Sequence, residues 1–233
     1  MLQTNHQSDP KIANKQAKAN RHSLVKRAFD YFVALILLVV FSPLITLIAL
    51  AIKIIDRRGS VFFVQYREGI HGTSFPFFKF RTMYVDADER LTEHLSQCPR
   101  ARAEWQDKFH LANDPRVLPI LGNLLRKTSL DELPNLINVL RGELSLVGPR
   151  PFPTYHLDSF DQQFRSLRAS VRPGLTCWWQ IYRGNLVAQR YWDEQYINNW
   201  SFLEDVWIFL RTAPVVVTAR HPLFSSSPQR AEY

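Results

Sequence analysis

The sequence predicts a membrane-associated α+β protein: an N-terminal helix–break–helix element, then a mostly helical domain with short strands and amphipathic helices at the membrane interface. The first observation behind this prediction is a long apolar run from Phe29 to Ile55, interrupted by the pair Ser42-Pro43. The second is that the remaining chain mixes short β-prone runs with longer stretches at helical spacing. The 233 residues are enough for one domain with a hydrophobic core and a membrane element.

The charges around the apolar run predict how it lies in the membrane. Because about 20 apolar residues suffice to span a bilayer, the run is long enough to cross one. Lys26 and Arg27 precede it, however, and Arg57 and Arg58 follow it. Basic flanks favour the cytoplasmic side, and a simple span would place one of these pairs outside. We therefore expect the run to enter the membrane and return to the same face.

Pro43 provides a position at which the helix can turn. A proline inside a helix removes one backbone hydrogen bond and kinks the helix. The hydroxyl of Ser42 can then satisfy a carbonyl that the kink frees. These features predict a re-entrant membrane helix over residues 23–56, with its break at Ser42 and Pro43. A plain transmembrane helix that tolerates its proline is the alternative that the residues leave open.

The flanking segments and the overall charge complete the domain organisation. Residues 1–22 are polar and basic and predict a disordered tail, and residues 221–233 predict a loose C-terminal tail. Residues 57–220 form the remaining domain. The net charge of +8 suggests an anionic partner: nucleic acid, anionic lipid or a phosphorylated small molecule. No nucleic-acid partner is expected, because the basic residues are spread along the chain without a recognition helix or an aromatic platform.

Periodicity and turn residues predict the elements of this domain. Strands are predicted near residues 61–64 and 75–81, and helices over 86–110, from 129–131 to 140, over 158–168 and over 191–219. The last stretch is expected to break at Asn198-Asn199 and at Pro214. Its aromatic residues, which include Trp207 and Phe209, suit a helix on a membrane surface, and ordinary core packing is the open alternative.

An acidic pair, Asp131-Glu132, follows the basic pair Arg126-Lys127 closely in the sequence. Either a capping box of Ser129 and Glu132 or a helix start nearer Asp131 would place both carboxylates at a helix N-terminus. Unpaired N–H groups and the helix dipole favour negative charge there. An ionised carboxylate beside cations suits a phosphoryl-accepting nucleophile, and the two carboxylates together can hold Mg²⁺. An acidic helix start without any catalytic role is the alternative.

Three further cations are candidates for binding substrate phosphates. Arg150 lies between Pro149 and Pro151, which stiffen its loop, so the arginine loses little entropy when it binds a phosphate. Lys79 and Arg81 are two apart on a predicted strand, so they point to one face and could bind a diphosphate. The open alternatives are a salt bridge for Arg150 and a solvated strand edge for the other two residues.

Eight segments of the chain, taken in order, resemble the bacterial sugar transferase family, the monotopic phosphoglycosyl transferases that act on polyprenyl phosphate. The segments are Lys26 to Asp30, Ser42-Pro43, Lys79 to Met83, Asp114 to Arg116, Arg126 to Pro134, Ser145 to Pro151, Arg172 to Thr176 and Asn199 to Ser201. Together they cover the chain from Lys26 to about Arg220, and they resemble the minimal catalytic form of the family.

The resemblance implies a chemistry for the acidic pair. The family nucleophile matches Asp131, which would attack the β-phosphorus of a UDP-sugar, release UMP and form a sugar-phospho-aspartate. Undecaprenyl phosphate would then take up the sugar phosphate. Glu132 would assist through Mg²⁺ or proton handling, so Asp131 and Glu132 are the expected metal ligands. Arg126 would bind phosphate, and Arg150 would lie near the nucleotide.

The resemblance also implies a location. Residues 57–220 would be a transferase domain on the cytoplasmic face of the bacterial inner membrane, in contact with membrane lipids. The product would start a cell-surface polysaccharide or glycoconjugate. The sugar, the pathway and the oligomeric state stay open at this point.

Two departures and one competing hypothesis accompany the resemblance. The chain has Arg183-Gly184 where the family has the reverse order, which leaves the role of Arg183 open. Cys177 has no matching histidine base and is expected to be a packed thiol. A non-catalytic membrane scaffold is the competing hypothesis, and the intact pair of Asp131 and Glu132 speaks against it.

Overall fold

A computed structural model describes residues 10–108, 111–157, 160–182 and 186–218 of the chain. The helices are α1 (Pro10–Ile55), α2 (Ala87–Gln97), α3 (Pro99–Lys108), α4 (Leu121–Thr128), α5 (Leu136–Arg141), α6 (Thr154–Leu157), α7 (Gln162–Ala169), α8 (Trp178–Tyr182), α9 (Leu186–Asn199) and α10 (Phe202–Thr218). The strands are β1 (Phe62–Glu68), β2 (Ser74–Phe80), β3 (Ser145–Val147) and β4 (Gly174–Thr176), and 3₁₀ helices cover Ile70–Gly72 and Leu130–Asn135. The fold is therefore helix-rich with small sheets, as the sequence predicts.

Helix α1 runs uninterrupted through Pro43, where the sequence predicts a break. Proline has no N–H to donate to the carbonyl of Val39, four residues earlier. The hydroxyl of Ser42 donates to that carbonyl instead, over 2.8 Å. Thr46 Oγ1 donates to the carbonyl of Ser42 at 2.9 Å. The predicted use of the Ser42 hydroxyl is confirmed, since it replaces the hydrogen bond that Pro43 removes and lets the helix continue.

The first turns of α1 precede the predicted membrane segment. The helix starts at Pro10, so it takes in residues 10–22, where the sequence predicts a disordered tail; residues 1–9 lie outside the described part. These turns are rich in alanine and lysine, which are good helix formers. They also extend an existing helix, which requires no new nucleation. The predicted domain boundaries stay predictions.

The apolar part of α1 is exposed on the isolated protein. Among the described residues, Leu24–Ile55 is the one helical segment long and apolar enough to cross a membrane, by length and composition. Large apolar side chains cover its surface, and Phe32, Val40 and Ile54 are all more than 60% exposed. A continuous exposed apolar surface of this kind indicates association with a membrane.

Both halves of α1 pack against the same folded domain. In the first half, Ala34 is fully buried in a hydrophobic cluster that includes Phe77 of β2. In the second half, Ile52 is fully buried in another cluster, together with Phe80 of the same strand. Leu133 packs against both clusters. The two halves of the apolar helix therefore rest on neighbouring parts of one core.

Ion pairs fasten the two ends of the apolar segment to the same domain. At one end, Lys26 Nζ lies 2.5 Å from a carboxylate oxygen of Asp205 and donates to the carbonyl of Val147 at 2.9 Å. At the other end, Arg81 Nη1 lies 2.7 Å from Asp56 Oδ2, and Arg81 Nη2 donates to the carbonyl of Asp56. In each pair the carboxylate is deeply buried, so both ends of the segment are held firmly.

Strands β1 and β2 form an antiparallel hairpin, which confirms the two predicted strands. The outer edge of β2 is covered by asparagine side chains. Asn135 Oδ1 accepts from the backbone N–H of Phe78 at 2.9 Å, and Asn138 Nδ2 donates to the carbonyl of Pro76 at 2.5 Å. Both asparagines are fully buried. These bonds attach β2 to the 3₁₀ helix and to α5, which places the acidic pair beside the hairpin.

Strands β3 and β4 are short and parallel. The backbone of Gly174, the first residue of β4, lies very close to that of Gly148, which directly follows β3. A Cβ atom built on Gly174 would lie closer than 3.0 Å to the backbone of Gly148. Only glycine fits this approach, because backbone atoms cannot move aside as a flexible side chain can. The contact fixes the start of the loop that carries Arg150.

Two predicted helical stretches differ from the structure. The stretch over 86–110 is split into α2 and α3, because Cys98 is extended (φ −122°, ψ 100°), a conformation that the following Pro99 favours. The predicted break at Pro214 is wrong, because Pro214 lies inside α10. Burial of Ile208 and Val215 in the core offsets the hydrogen bond that this proline removes.

The remaining C-terminal prediction left two alternatives open, and α10 has features of both. Helix α9 ends at Asn199, so the break at Asn198-Asn199 is confirmed. On α10, Ile208 packs in the core, whereas Leu203 and Leu210 are exposed by 79% and 63%. Helix α10 therefore presents an apolar stripe to its surroundings as well as a core face.

Candidate active site

The acidic pair lies in the 3₁₀ helix Leu130–Asn135, and both carboxylates are buried, Asp131 with 8% and Glu132 with 6% of its surface exposed. Of the two helix starts that the sequence leaves open, the capping box does not form, and the helical segment begins at Leu130 with both acids in its first turn. Ser129 is left-handed (φ 58°, ψ 17°) and its side chain caps no N–H group. Its hydroxyl accepts a hydrogen bond from Gln180 Nε2 at 3.4 Å. The Glu132 carboxylate turns away from the helix start because two neighbouring cations bind it instead.

Two cations hold the acidic pair. Lys79 Nζ lies 2.7 Å from Glu132 Oε1 and 3.4 Å from Asp131 Oδ2, so it bridges both carboxylates. Arg150 Nη2 lies 2.8 Å from Glu132 Oε1. Arg150 Nη1 donates to Gln180 Oε1 at 2.8 Å, which fixes the plane of the guanidinium group. The strand lysine and the loop arginine therefore meet at Glu132, and the lysine alone reaches Asp131.

This unequal sharing gives the two acids different proton affinities. Burial raises the pKa of Asp131 above its ordinary value, and the charge of Lys79 only partly opposes the rise. Burial also acts to raise the pKa of Glu132, but the charges of Arg150 and Lys79 outweigh it and hold that pKa at about 2. Pairs of carboxylates whose pKa values are driven apart are typical of active sites, where one acid reacts and the other remains a fixed anion.

The other predicted cations have different positions. Arg126 Nε donates to Thr82 Oγ1 at 2.9 Å, and Arg126 interacts electrostatically with Asp131 without a direct hydrogen bond to it. Arg81 forms the ion pair with Asp56 at the end of α1. The structure thus brings Lys79, but not Arg81, to the acidic pair, although the sequence predicts that the two act on one face.

The loop of Pro149, Arg150 and Pro151 is fixed at each of its carbonyls. The carbonyl of Pro149 accepts from a backbone N–H of β4 at 2.9 Å, and that of Arg150 accepts from Arg168. Arg67 Nη1 donates to the carbonyl of Pro151 at 2.8 Å. The predicted rigidity of the loop therefore comes from these contacts as well as from the prolines. The salt bridge left open for Arg150 is made with Glu132 of the acidic pair.

Sequence reasoning missed several residues around the pair. Arg67 and Gln65 are two residues apart on β1, so they point to the same face of the hairpin as Lys79. This period-two pattern is a signal that could have located Arg67. Arg168 pairs with the buried Asp193, 25 residues away, and no local pattern indicates such a contact.

The two further residues singled out in the sequence are a cysteine and an arginine. Cys177 is buried and burial raises its pKa, which confirms the packed thiol. Arg183 lies outside the described residues.

The donor set for Mg²⁺ is incomplete without substrate. Among the described residues, no group of three or more His, Cys, Asp or Glu side chains could hold a metal ion. Both oxygens of Glu132 face Arg150, and Asp131 Oδ1 accepts no hydrogen bond from the described chain. Because Mg²⁺ commonly uses one or two carboxylates together with substrate phosphates and water, Asp131 fits a metal that a bound diphosphate completes, and the expected second ligand Glu132 is already engaged by cations.

Comparison with known proteins identifies the family of this chain. The family model described as bacterial sugar transferase matches residues 21–219, which is most of the chain. The chain belongs to the bacterial sugar transferase family. The acidic pair, Lys79 and the Arg150 loop all lie within the matched region, and so does the apolar part of α1.

Several curated members of the family resemble this chain over most of its length. ExoY, an exopolysaccharide production protein of Rhizobium meliloti, is 44% identical over 200 residues, which are 84% of this chain and 87% of ExoY. An undecaprenyl-phosphate galactose phosphotransferase of Salmonella typhimurium is 41% identical over 210 residues, 89% of this chain. A UDP-glucose:undecaprenyl-phosphate glucose-1-phosphate transferase of Escherichia coli is 38% identical over 199 residues. The chain spans 43% of the Salmonella protein and 39% of the Escherichia coli protein.

Proposed function

We propose that this sugar transferase moves a sugar 1-phosphate from a UDP-sugar to undecaprenyl phosphate, with Asp131 as the nucleophile. The observation that carries the proposal is the buried acidic pair, in which Glu132 is neutralised by two cations and Asp131 forms an ion pair with Lys79 alone among the described residues. A carboxylate with one free oxygen beside phosphate-binding cations is suited to accept a phosphoryl group.

In the first step, an Asp131 carboxylate oxygen attacks the β-phosphorus of the UDP-sugar. A new bond forms between that oxygen and the phosphorus, and the bond from the phosphorus to the bridging oxygen breaks. The bridging oxygen keeps the electron pair and leaves as part of UMP. The sugar phosphate is then bound covalently to Asp131. Lys79 and Arg150, already in position, stabilise the charge on the phosphoryl oxygens without reorganising.

In the second step, a phosphate oxygen of undecaprenyl phosphate attacks the same phosphorus. The bond to Asp131 breaks, the aspartate leaves as a carboxylate, and the product is an undecaprenyl diphosphate sugar. Two easier displacements replace one difficult one. Glu132 remains the anion that holds Lys79 and Arg150 in place through both steps.

Asp131 would hold Mg²⁺ together with the substrate diphosphate, whereas both oxygens of Glu132 are engaged by Lys79 and Arg150. When bound, the metal ion neutralises charge on the phosphate oxygens.

The proposal includes a re-entrant α1 on the cytoplasmic face of the bacterial inner membrane. It is supported by the docking of both ends of the apolar segment on one domain, through Lys26 at one end and Asp56 at the other. Single cysteines placed near these two residues should react with a membrane-impermeant reagent from the cytoplasmic side only. Labelling of the two positions from opposite sides would reject the re-entrant path.

The names of the relatives point to the substrates and to the use of the product. One relative is named for galactose transfer to undecaprenyl phosphate, another for glucose 1-phosphate transfer from UDP-glucose, and ExoY for exopolysaccharide production. We infer the same acceptor for this chain, and a product that starts a cell-surface polysaccharide or glycoconjugate. UDP-glucose and UDP-galactose are therefore the first donors to test.

The test is release of UMP from UDP-sugars by purified protein in nanodiscs with undecaprenyl phosphate and Mg²⁺. The wild type should release UMP, Asp131→Asn should not, and Asp161→Asn should match the wild type because Asp161 is an exposed helix cap. Mass spectrometry after incubation with donor alone should locate the sugar phosphate on Asp131. An adduct on another residue would reject the mechanism, and absence of UMP release with all UDP-sugars would favour the scaffold hypothesis.

A further inference from the structure

Arg67 of β1 is a buried cation without an acidic partner. Its exposed fraction is 7%. Its guanidinium group donates to the carbonyl of Pro151 at 2.8 Å and to Gln65 Oε1 at 3.2 Å, and it lies 4.0 Å from the ring centroid of Phe77. Its Nε atom has no hydrogen-bond partner. Among the described residues, no carboxylate lies within ion-pair distance of Arg67.

A buried charge whose direct hydrogen-bond partners are all neutral is costly, since dipoles and an aromatic face replace only part of the lost hydration. The charges of Glu132 and Asp131 attract Arg67 without a direct contact and only partly offset this cost. The charge of Arg150 adds to that cost. Burial and repulsion by Arg150 together lower the pKa of Arg67 to about 10. Arg67 therefore remains protonated at neutral pH, and a bound anion would stabilise its charge.

The location of Arg67 indicates the kind of anion that would bind it. In the β1–β2 hairpin, Arg67 lies opposite Phe75 and Phe63 lies opposite Lys79, so Arg67 and Lys79 share one face of the sheet. Arg67 also holds the carbonyl of Pro151, which directly follows Arg150. It thus stands on the same side of the hairpin as the acidic pair and beside the arginine loop.

The charges of the site support the same conclusion. Lys79 and Arg150 balance the two carboxylates of Asp131 and Glu132, so Arg67 contributes an unbalanced positive charge. A guanidinium group matches phosphate oxygens with a planar fork of N–H donors. Arginine is also less strongly hydrated than lysine, which makes a partly buried position less costly for it.

We propose that Arg67 binds a substrate phosphate in this site and is a further substrate-binding residue of the transferase. The proposal rests on the proposed function and deepens it. The ligand is a phosphate group, and it has two sources in the reaction: the nucleotide donor and the lipid acceptor. Binding of this anion would supply the counter-charge that the protein itself does not provide for Arg67.

The experiment measures equilibrium binding to full-length protein in nanodiscs, so that it needs no turnover. Four probes are titrated: UMP against uridine for the nucleotide, and farnesyl phosphate against farnesol for the lipid. Arg67→Gln should weaken UMP, farnesyl phosphate or both by about tenfold to a hundredfold, as expected for the loss of a hydrogen bond to a charged group. Uridine and farnesol should bind as they do to the wild type. If the affinity falls for only one of the two phosphates, Arg67 binds that substrate. If it falls for both, Arg67 lies at a position that the two substrates share.

Two further variants are controls for the affinities measured with Arg67→Gln. Arg67→Lys keeps the charge without the fork and should fall between the wild type and Arg67→Gln. Arg190→Gln removes an arginine from the surface, where Arg190 pairs with Asp161 and Glu194, and it should change none of the four affinities. The melting temperature of each variant establishes that it is folded.

The proposal is overturned if Arg67→Gln binds both phosphates like the wild type, or if it loses uridine and UMP equally, as a purely structural role would require. Release of UMP by the wild type is recorded separately. A positive result there together with unchanged affinities in Arg67→Gln leaves the function intact and removes only this inference.

Discussion

The two acids of the site are predicted to affect stability in opposite directions. Glu132→Gln removes the anion that lies 2.7 Å from Lys79 and 2.8 Å from Arg150. Breaking a buried pair by removing one partner costs about 3–5 kcal/mol, because the remaining charge stays buried. The pKa of Glu132, about 2 against an ordinary 4.5, corresponds to a similar free energy of about 3 kcal/mol.

Asp131→Asn is expected to behave differently. Burial raises the pKa of Asp131, so its charged form is less stable in the folded protein than in the unfolded chain. A neutral asparagine of the same shape removes that penalty, and the free energy of unfolding should stay the same or rise. UMP release should nevertheless fall by at least about a thousandfold, because the nucleophile is gone.

The assay is thermal unfolding in nanodiscs at pH 7. For a chain of this size, about 1 kcal/mol corresponds to roughly 2–4 °C, so Glu132→Gln should melt roughly 6–20 °C below the wild type. Asp131→Asn should melt at or above the wild type. Glu194→Gln is the control, because its exposed pair with Arg190 should contribute less than about 1 kcal/mol. Equal losses in Asp131→Asn and Glu132→Gln, or no loss in Glu132→Gln, would refute the reasoning.

The pH dependence has the corresponding signs. The folded pKa of Glu132 is depressed, so its contribution is present above pH 4.5 and is lost as the pH falls towards about 2. The folded pKa of Asp131 is raised, so its protonated form is the stabilising one, and that contribution is lost as the pH rises through the folded pKa. The acid limb of UMP release by the wild type should follow the ionisation of Asp131.

Three further substitutions give distinct outcomes. Gly174→Ala should lower stability by about 1–3 kcal/mol and lower kcat, because its methyl group meets the Gly148 backbone ahead of the arginine loop; thermal melts and UMP release measure the two effects. Lys26→Met should cost about 3–5 kcal/mol in thermal unfolding, because Asp205 loses its buried cation. Arg150→Lys should lower kcat/KM for UMP release by about tenfold to a hundredfold, because a lysine cannot bind Glu132 and Gln180 with one planar fork.

Each of these substitutions has a matched control. Gly72→Ala costs about 1 kcal/mol through its positive φ of 73°, but no heavy atom lies within 4 Å of the added methyl group, so kcat should be unchanged. Lys53→Met removes an exposed lysine and should have little effect on melting. Arg190→Lys should leave kcat/KM unchanged. Wild-type behaviour of Gly174→Ala, Lys26→Met or Arg150→Lys would contradict the corresponding contact.

The local chemistry of the chain could be predicted from the sequence where neighbouring residues determine it. The Ser42 hydroxyl replaces the hydrogen bond that Pro43 removes, and both the bond and its reason follow from adjacent residues. The hairpin strands were predictable from β-prone runs on either side of a turn. The proximity of Lys79 to the acidic pair was not predicted, because it depends on the asparagine contacts that attach β2 to the 3₁₀ helix and to α5.

Predictions failed where distant packing outweighs local preference. Pro214 does not break α10, because burial of Val215 and its neighbours stabilises the helix across it. The capping box at Ser129 does not form, because Glu132 gains more from Lys79 and Arg150 than from a backbone N–H. Arg67 was missed for the same reason: its partners are the loop at Pro151 and an aromatic ring, and both become neighbours only after folding.

The two cysteines differ in a way that simplifies spectroscopic and crosslinking work. Cys98 is partly exposed in the joint between α2 and α3, whereas Cys177 is buried and burial raises its pKa. Maleimides react with exposed thiolates, so Cys177 should react slowly in the folded protein. Replacing Cys98 alone therefore gives a background in which single reporter cysteines can be introduced without disturbing the packing around β4.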